Sequence, residues 1–191
     1  MNEKKRTAAT IAIAGATGLI LSLTIIGIRD SAEPAAEVQL ATAIKAEVTD
    51  AGLDVPEGDT SFKTYMDYHC ITNKESAQYK LQQICCTDAN GLRRTNGGDY
   101  VIAVGSFYSS TVGDRFKITT DGGEFYATVG DLKADAHTNS THQYTAMEDG
   151  MKNVVEFVVD VDELDGMARR MGDISYIGGK FDGNITGIER V

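Results

Sequence analysis

Apolar and polar positions divide this chain into two regimes. From Ala8 to Ile28 the 21 residues AATIAIAGATGLILSLTIIGI are apolar, small or hydroxylated, with no charge among them. At about 1.5 Å per residue a helix of that length crosses the roughly 30 Å hydrocarbon core of a bilayer. A buried helix of a soluble domain would show a polar face, and this run has none. The pattern therefore predicts a transmembrane helix over 8–28 behind a basic tail, 1–7.

Beyond it, Val38, Ala41, Ile44, Ala46 and Val48 give rough helical spacing over Glu37–Thr49, which Gly52 and Pro56 stop. Asp54–Ser61 (DVPEGDTS) has linker composition. Residues 29–60 are thus expected to form a helical stalk and linker, with the folded body at 61–191.

Within the body the period shifts to that of strands. Thr64–Tyr68 alternates, Tyr100–Val104 (YVIAV) is a continuous apolar run, and Val154–Val159 (VVEFVV) is the most hydrophobic segment. Arg115–Thr119 and Glu124–Val129 flank an Asp-Gly turn, the signature of a hairpin. Asn184–Val191 reads as a last strand. Asn73–Cys86 fits helix or strand. Leu164, Met167, Ala168 and Met171 fall at i, i+3, i+4 and i+7, which predicts one short helix. Short strands, Gly-rich turns and one helix favour a small mainly β barrel over a sandwich.

Charge adds an orientation. Eighteen Lys and Arg oppose 28 Asp and Glu, a net charge of −10. Residues 1–29 carry Lys4, Lys5, Arg6 and Arg29 against Glu3, a net +3, which leaves −13 on the rest. Positive flanks stay in the cytoplasm, so the body is expected outside the cell membrane on a single-pass anchor. Cleavage is the alternative, since Ser31–Ala36 (SAEPAA) supplies small residues that a peptidase could accept. An acidic body is unsuited to neutralising phosphates, which excludes nucleic acid as a partner. Cys70, Cys85 and Cys86 permit at most one disulfide, to Cys70, and otherwise read as small buried apolar residues.

Candidate chemistry concentrates where Glu124–Val129 opens into Gly130–His142, a loop rich in Asp and His. Asp131 stands at the strand end, Asp135 four residues on, and Glu156 inside VVEFVV. A carboxylate among apolar residues binds its proton more tightly and can serve as a general acid, as glycosidic cleavage requires. Strict alternation would instead turn Glu156 to solvent. Asp131, Asp135, His137 and His142 are a second possibility, a metal site, but their spacing matches no metal motif. Neither a nucleophile elbow nor a phosphate loop is present.

Three stretches resemble the three-aspartate (3D) domain of bacterial cell-wall lytic enzymes, the membrane-bound lytic transglycosylase A family and the stationary-phase survival muralytic proteins among them. They are Tyr100–Val104 followed by Val112–Phe116, then Ala127–Asp131, then Asn153–Phe157 with a helix reaching Gly172. The resemblance covers about 70 residues. It implies a six-stranded double-psi β-barrel and a lytic transglycosylase-like lyase of a Gram-positive wall, acting on peptidoglycan glycan strands without metal or organic cofactor. Asp131 matches the second family aspartate and becomes the expected acid/base, while Glu156 replaces the third. Gly105 stands where the first is expected, with Asp135 and His137 as local substitutes. Tyr108, Tyr126 and Tyr144 are the candidate platforms for sugar rings. The rival expectation is a catalytically inactive module that binds or scaffolds the cell envelope.

Overall fold

The computed structural model describes residues 52–191, together with the backbone of two strands nearer the N-terminus, β1 (Ala9–Ala14) and β2 (Ile20–Ile25). These two pair antiparallel, Ala9 opposite Ile25 and Ala14 opposite Ile20. Apart from that pair, the segment expected to form the membrane helix, 8–28, and the expected stalk helix, 37–49, lie outside the described residues. Among the described residues no helix is long and apolar enough to cross a membrane.

The body is mainly β. Its strands are β3 (Tyr65–Asp67), β4 (Cys86–Thr87), β5 (Arg93–Arg94), β6 (Tyr100–Val104), β7 (Arg115–Thr120), β8 (Gly123–Leu132), β9 (Thr145–Ala146), β10 (Lys152–Asn153), β11 (Glu156–Val159) and β12 (Ile185–Arg190). Eight of them form one mixed sheet, ordered β12-β7-β8-β6-β11-β3, with β4 and β5 attached beside β6. β9 and β10 form a separate two-stranded ribbon. The sheet exceeds the six strands expected. Two short α-helices, α1 (Ala77–Gln82) and α2 (Gly166–Met171), replace the single one expected, and five single-turn 3-10 helices accompany them.

β6 is the centre of the sheet. It runs parallel to β8 and antiparallel to β11, and all five of its residues are buried. A strand covered on both faces carries a continuous apolar run, which is why YVIAV does not alternate. The hairpin of β7 and β8 forms at the Asp-Gly turn, with Thr120 opposite Gly123. One face of the sheet carries an aromatic cluster of Tyr100, Phe125, Phe157 and Phe181, with ring centroids 5.2–6.0 Å apart and mostly edge-to-face. Ile102, Phe116, Ile118, Val129 and Ile188 extend it.

The helices stop where their caps dictate. Ser76 accepts the Tyr79 N–H and starts α1, resolving the ambiguous stretch 73–86 into a helix followed by β4. Asp165 accepts the N–H groups of Met167 and Ala168, so α2 begins at Gly166 rather than at Leu164.

The linker composition of 54–61 does not produce a free linker. Leu53 N–H donates to Ile188 O at 2.6 Å, and Thr60 bonds both Asn184 and Ile185. This segment therefore runs beside β12 at one edge of the sheet and feeds β3 at the other. No continuous ladder joins those two edges among the described residues.

The cysteines depart from expectation. All three are unbridged, and Cys70 and Cys86 are exposed rather than buried, with Cys85 half-buried. Burial raises the Cys85 thiol above its usual value.

Candidate active site

The parallel pairing of β6 and β8 is not regular. Ile102 lies opposite Val129, but Ala103 lies opposite Asp131, and Gly130 is the extra residue of a bulge. A bulge re-aims the side chains that follow it. Phe125, Ala127 and Val129 face the core, and unbroken alternation would send residue 131 there too. Because of the bulge, Asp131 shares the face of Ala103 instead. Glycine is required at 130, since a Cβ would stand 2.1 Å from Val101 Cγ1.

Across β6, Glu156 of β11 is also opposite Ala103. The two carboxylates thus flank a single alanine on one sheet face, two strand spacings or roughly 10 Å apart at Cα. Both line a groove of about 790 Å³, together with Thr64, Tyr65, Lys133, His137, Thr145, Met147, Asn153 and Gly172 among others. Three of the four expected catalytic residues, Asp131, Glu156 and His137, therefore converge. Glu156 lies on the face opposite core-facing Phe157, as alternation allows, and there it lines the groove while staying partly exposed.

The two carboxylates have different surroundings. Burial raises the Asp131 carboxyl above its usual value, against the opposing hydrogen bonds of the Leu132 N–H and of Gln78 on α1. Glu156 is partly exposed, and its Oε1 accepts the Thr64 hydroxyl at 3.1 Å.

Lys133 is a groove residue that sequence reasoning missed. It is nearly buried, and its ammonium donates to the Asn153 carbonyl at 2.8 Å. Burial pushes it down to about 8, with Glu156 pulling the other way. The Asn153 side chain accepts the Thr64 N–H at 3.2 Å and donates to the Thr64 hydroxyl at 2.8 Å. A connected path thus runs from Lys133 through Asn153 and Thr64 to Glu156. Alternation from Asp131 would have placed Lys133 on the same face, two residues on, but a lysine in a polar loop looks like a solvated one.

Asp135 does not join the groove. It is exposed, accepts the Ser106 hydroxyl at 2.6 Å and lies 3.6 Å from His142 Nδ1. Nor do Asp131, Asp135, His137 and His142 form a metal site. Among the described residues no group of three or more His, Cys, Asp or Glu is placed to hold an ion.

Gly105 has its own steric cause. A Cβ there would stand 2.0 Å from the His142 carbonyl oxygen, so the crossing loop leaves no room for any side chain, an aspartate included.

The expected aromatic platforms are also corrected. Tyr108 is buried in the core with its hydroxyl donating to Asp54 O at 3.0 Å, which leaves no ring face for a sugar. Tyr126 is exposed outside the groove near the Arg115 guanidinium, and Tyr144 packs at the core margin beneath Lys152. The aromatic side chain that lines the groove is Tyr65, whose hydroxyl donates to Arg169 O at 3.1 Å.

Comparison of the chain with family models, curated proteins and solved structures finds no match.

Proposed function

We propose that this protein cleaves the glycan strands of peptidoglycan by carboxylate acid/base chemistry, in the manner of a lytic transglycosylase. One observation carries the reading: Asp131, with its proton affinity raised by burial, and Glu156 flank Ala103 within one groove. The 3D-domain resemblance supplies the substrate class. It also supplies the finer architecture, a double-psi barrel, whose closing element would be the segment Leu53–Thr60. The body would stand outside the cell on a single-pass anchor at 8–28, as the charge asymmetry suggests.

In this reading the Asp131 carboxylic acid donates its proton to the glycosidic oxygen as the C1–O bond breaks. The muramyl C6 hydroxyl then attacks C1, closes a 1,6-anhydro ring and returns its proton to the Asp131 carboxylate. Tyr65 offers the ring-stacking face, and no metal or organic cofactor takes part.

Purified peptidoglycan incubated with the full chain, followed by mass spectrometry, tests the proposal. Anhydro-muropeptides are expected from the wild type. Asp131→Asn is expected to lower the rate roughly a hundred- to ten-thousand-fold. Reducing-end products would make the protein a hydrolase of the same substrate. Absence of release over a broad pH range, from protein shown to be folded, overturns the enzymatic reading.

The second reading is an inactive module that binds the envelope. What favours it is Gly105, where the His142 carbonyl excludes the side chain that would have been the first acid. Retention on intact wall without release of fragments is its expected signature.

A further inference from the structure

The groove holds a buried nucleophile that the cleavage chemistry does not use. Lys133 is 9% exposed and lines the groove beside Asn153, whose backbone carbonyl accepts from its ammonium at 2.8 Å. That carbonyl is the one protein acceptor for three N–H donors. Among the described residues no carboxylate lies within ion-pairing distance of it. A buried ammonium without a counter-ion is costly, and the cost falls when an anion arrives or when the proton leaves. Asp131 and Glu156 line the same groove and oppose the entry of an anion. Loss of the proton is the course left to it. Burial accordingly holds the group down to about 8, so roughly a tenth of it is neutral at pH 7. A neutral amine carries a free lone pair, and a desolvated lysine attacks carbonyl carbon.

Lys63, the other buried lysine, supplies the contrast. It is 0% exposed and does not line the groove. Its ammonium donates to Ser61 O at 2.8 Å and Gly183 O at 2.7 Å, which ties the chain entering β3 to the chain entering β12. Burial pushes this group down to about 8 as well. The two lysines therefore differ in access. Lys63 holds backbone to backbone, while Lys133 borders a groove of about 790 Å³, large enough for a small molecule.

We propose that Lys133 captures a small aldehyde in the groove as an imine, with the Asp131 carboxyl relaying the protons. This activity goes beyond glycan cleavage and does not depend on it. Asp131 stands two residues before Lys133 and lines the same groove. In the first step the amine nitrogen attacks the carbonyl carbon and a C–N bond forms. The carbonyl π pair moves to oxygen, and the Asp131 carboxylate takes a proton from nitrogen and passes it to that oxygen. In the second step the nitrogen pair expels the hydroxyl and closes the C=N bond. The hydroxyl leaves as water with the other nitrogen proton, carried by the same carboxylate. Nothing is oxidised or reduced.

The experiment is limited reductive ethylation of the full-length protein with acetaldehyde and sodium cyanoborohydride. The hydride reduces each imine to an ethylated lysine, and peptide mass spectrometry reads the rate at every site. Near pH 7 Lys133 is expected to react at least about tenfold faster than the exposed Lys74 and Lys80. That ratio is expected to fall toward one near pH 10, about where surface amines also lose their protons. Asp131→Asn, shown by circular dichroism to be folded, is expected to slow Lys133 several-fold and leave Lys74 unchanged. A Lys133 rate equal to that of Lys74 near pH 7 overturns the proposal. So does a Lys63 that reacts as fast as Lys133, since burial alone would then set the reactivity. An Asp131→Asn variant that labels at the wild-type rate overturns it as well. The readout needs no wall, so failed digestion removes the cleavage reading alone, and failed labelling removes this one alone.

Discussion

Burial raises the proton affinity of the Asp131 carboxyl, so the folded protein takes up this proton at a higher pH than the unfolded chain does. For a group shifted upward, the linked stability is complete below the unfolded value, near 3.8, and is lost as pH rises through the folded one. Asp131→Asn removes that loss. Its melting temperature relative to wild type is expected to climb as pH increases from about 4 toward neutrality, where desolvation of the charge acts fully. Parallel thermal melts across pH check this, and a difference independent of pH would mean that Asp131 is solvated. A group held at a cost in stability inside a groove is what an acid catalyst requires, and a merely solvated carboxylate would carry no such cost.

At the scale of elements, a single extra residue in β8 decides the site. The bulge at Gly130 turns Asp131 to the Ala103 face, and the antiparallel register of β11 brings Glu156 to the same face. Gly130→Ala presses a methyl group against Val101 Cγ1 and is expected to cost about 1–3 kcal/mol. The same variant is expected to weaken cleavage, since the strand end must move to relieve the contact. Asp165→Ala is the comparison. It removes the cap that accepts the Met167 and Ala168 N–H groups and should cost about 1 kcal/mol. Chemical denaturation of both variants together with wall digestion distinguishes an element that shapes the site from one that only supports it. The cap variant should lose stability alone.

For the molecule as a whole, the body begins earlier than its composition suggests. Asp54 O accepts the Tyr108 hydroxyl, Asp54 Oδ2 accepts from Gln143, and Thr60 ties to Asn184 and Ile185. A chain starting at Phe62 loses all of these, exposes the edge of β12 and leaves Tyr108 with an unpaired buried hydroxyl. It is expected to melt well below a chain starting at Glu47, or to aggregate. Circular dichroism and size-exclusion chromatography of the two versions measure this. Equal stability would show that the 53–60 segment merely lies against the body.

Local pattern was enough for the strands whose environment is uniform along their length. YVIAV marked the central strand because both faces of β6 are covered, and the Asp-Gly turn marked the β7–β8 hairpin because its geometry is local. The α2 helix was legible from the spacing of Leu164, Met167, Ala168 and Met171, though its start was fixed by Asp165. Asp131, Glu156 and His137 were legible as chemistry-bearing residues in unusual settings. Their convergence was not, because it depends on a bulge and on the pairing of strands far apart in the chain. Lys133, Asn153, Thr64 and Tyr65 gained their place only when β3, β8, β10 and β11 met around the groove. Tyr108 lost its expected role for the same reason, as its ring was drawn into the core that these strands enclose. Sequence alone marked the longer strands β6, β7, β8, β11 and β12 and the helix α2, since backbone preference and period are properties of neighbours. Tertiary structure decided which face each carboxylate occupies, since register and burial arise only between segments.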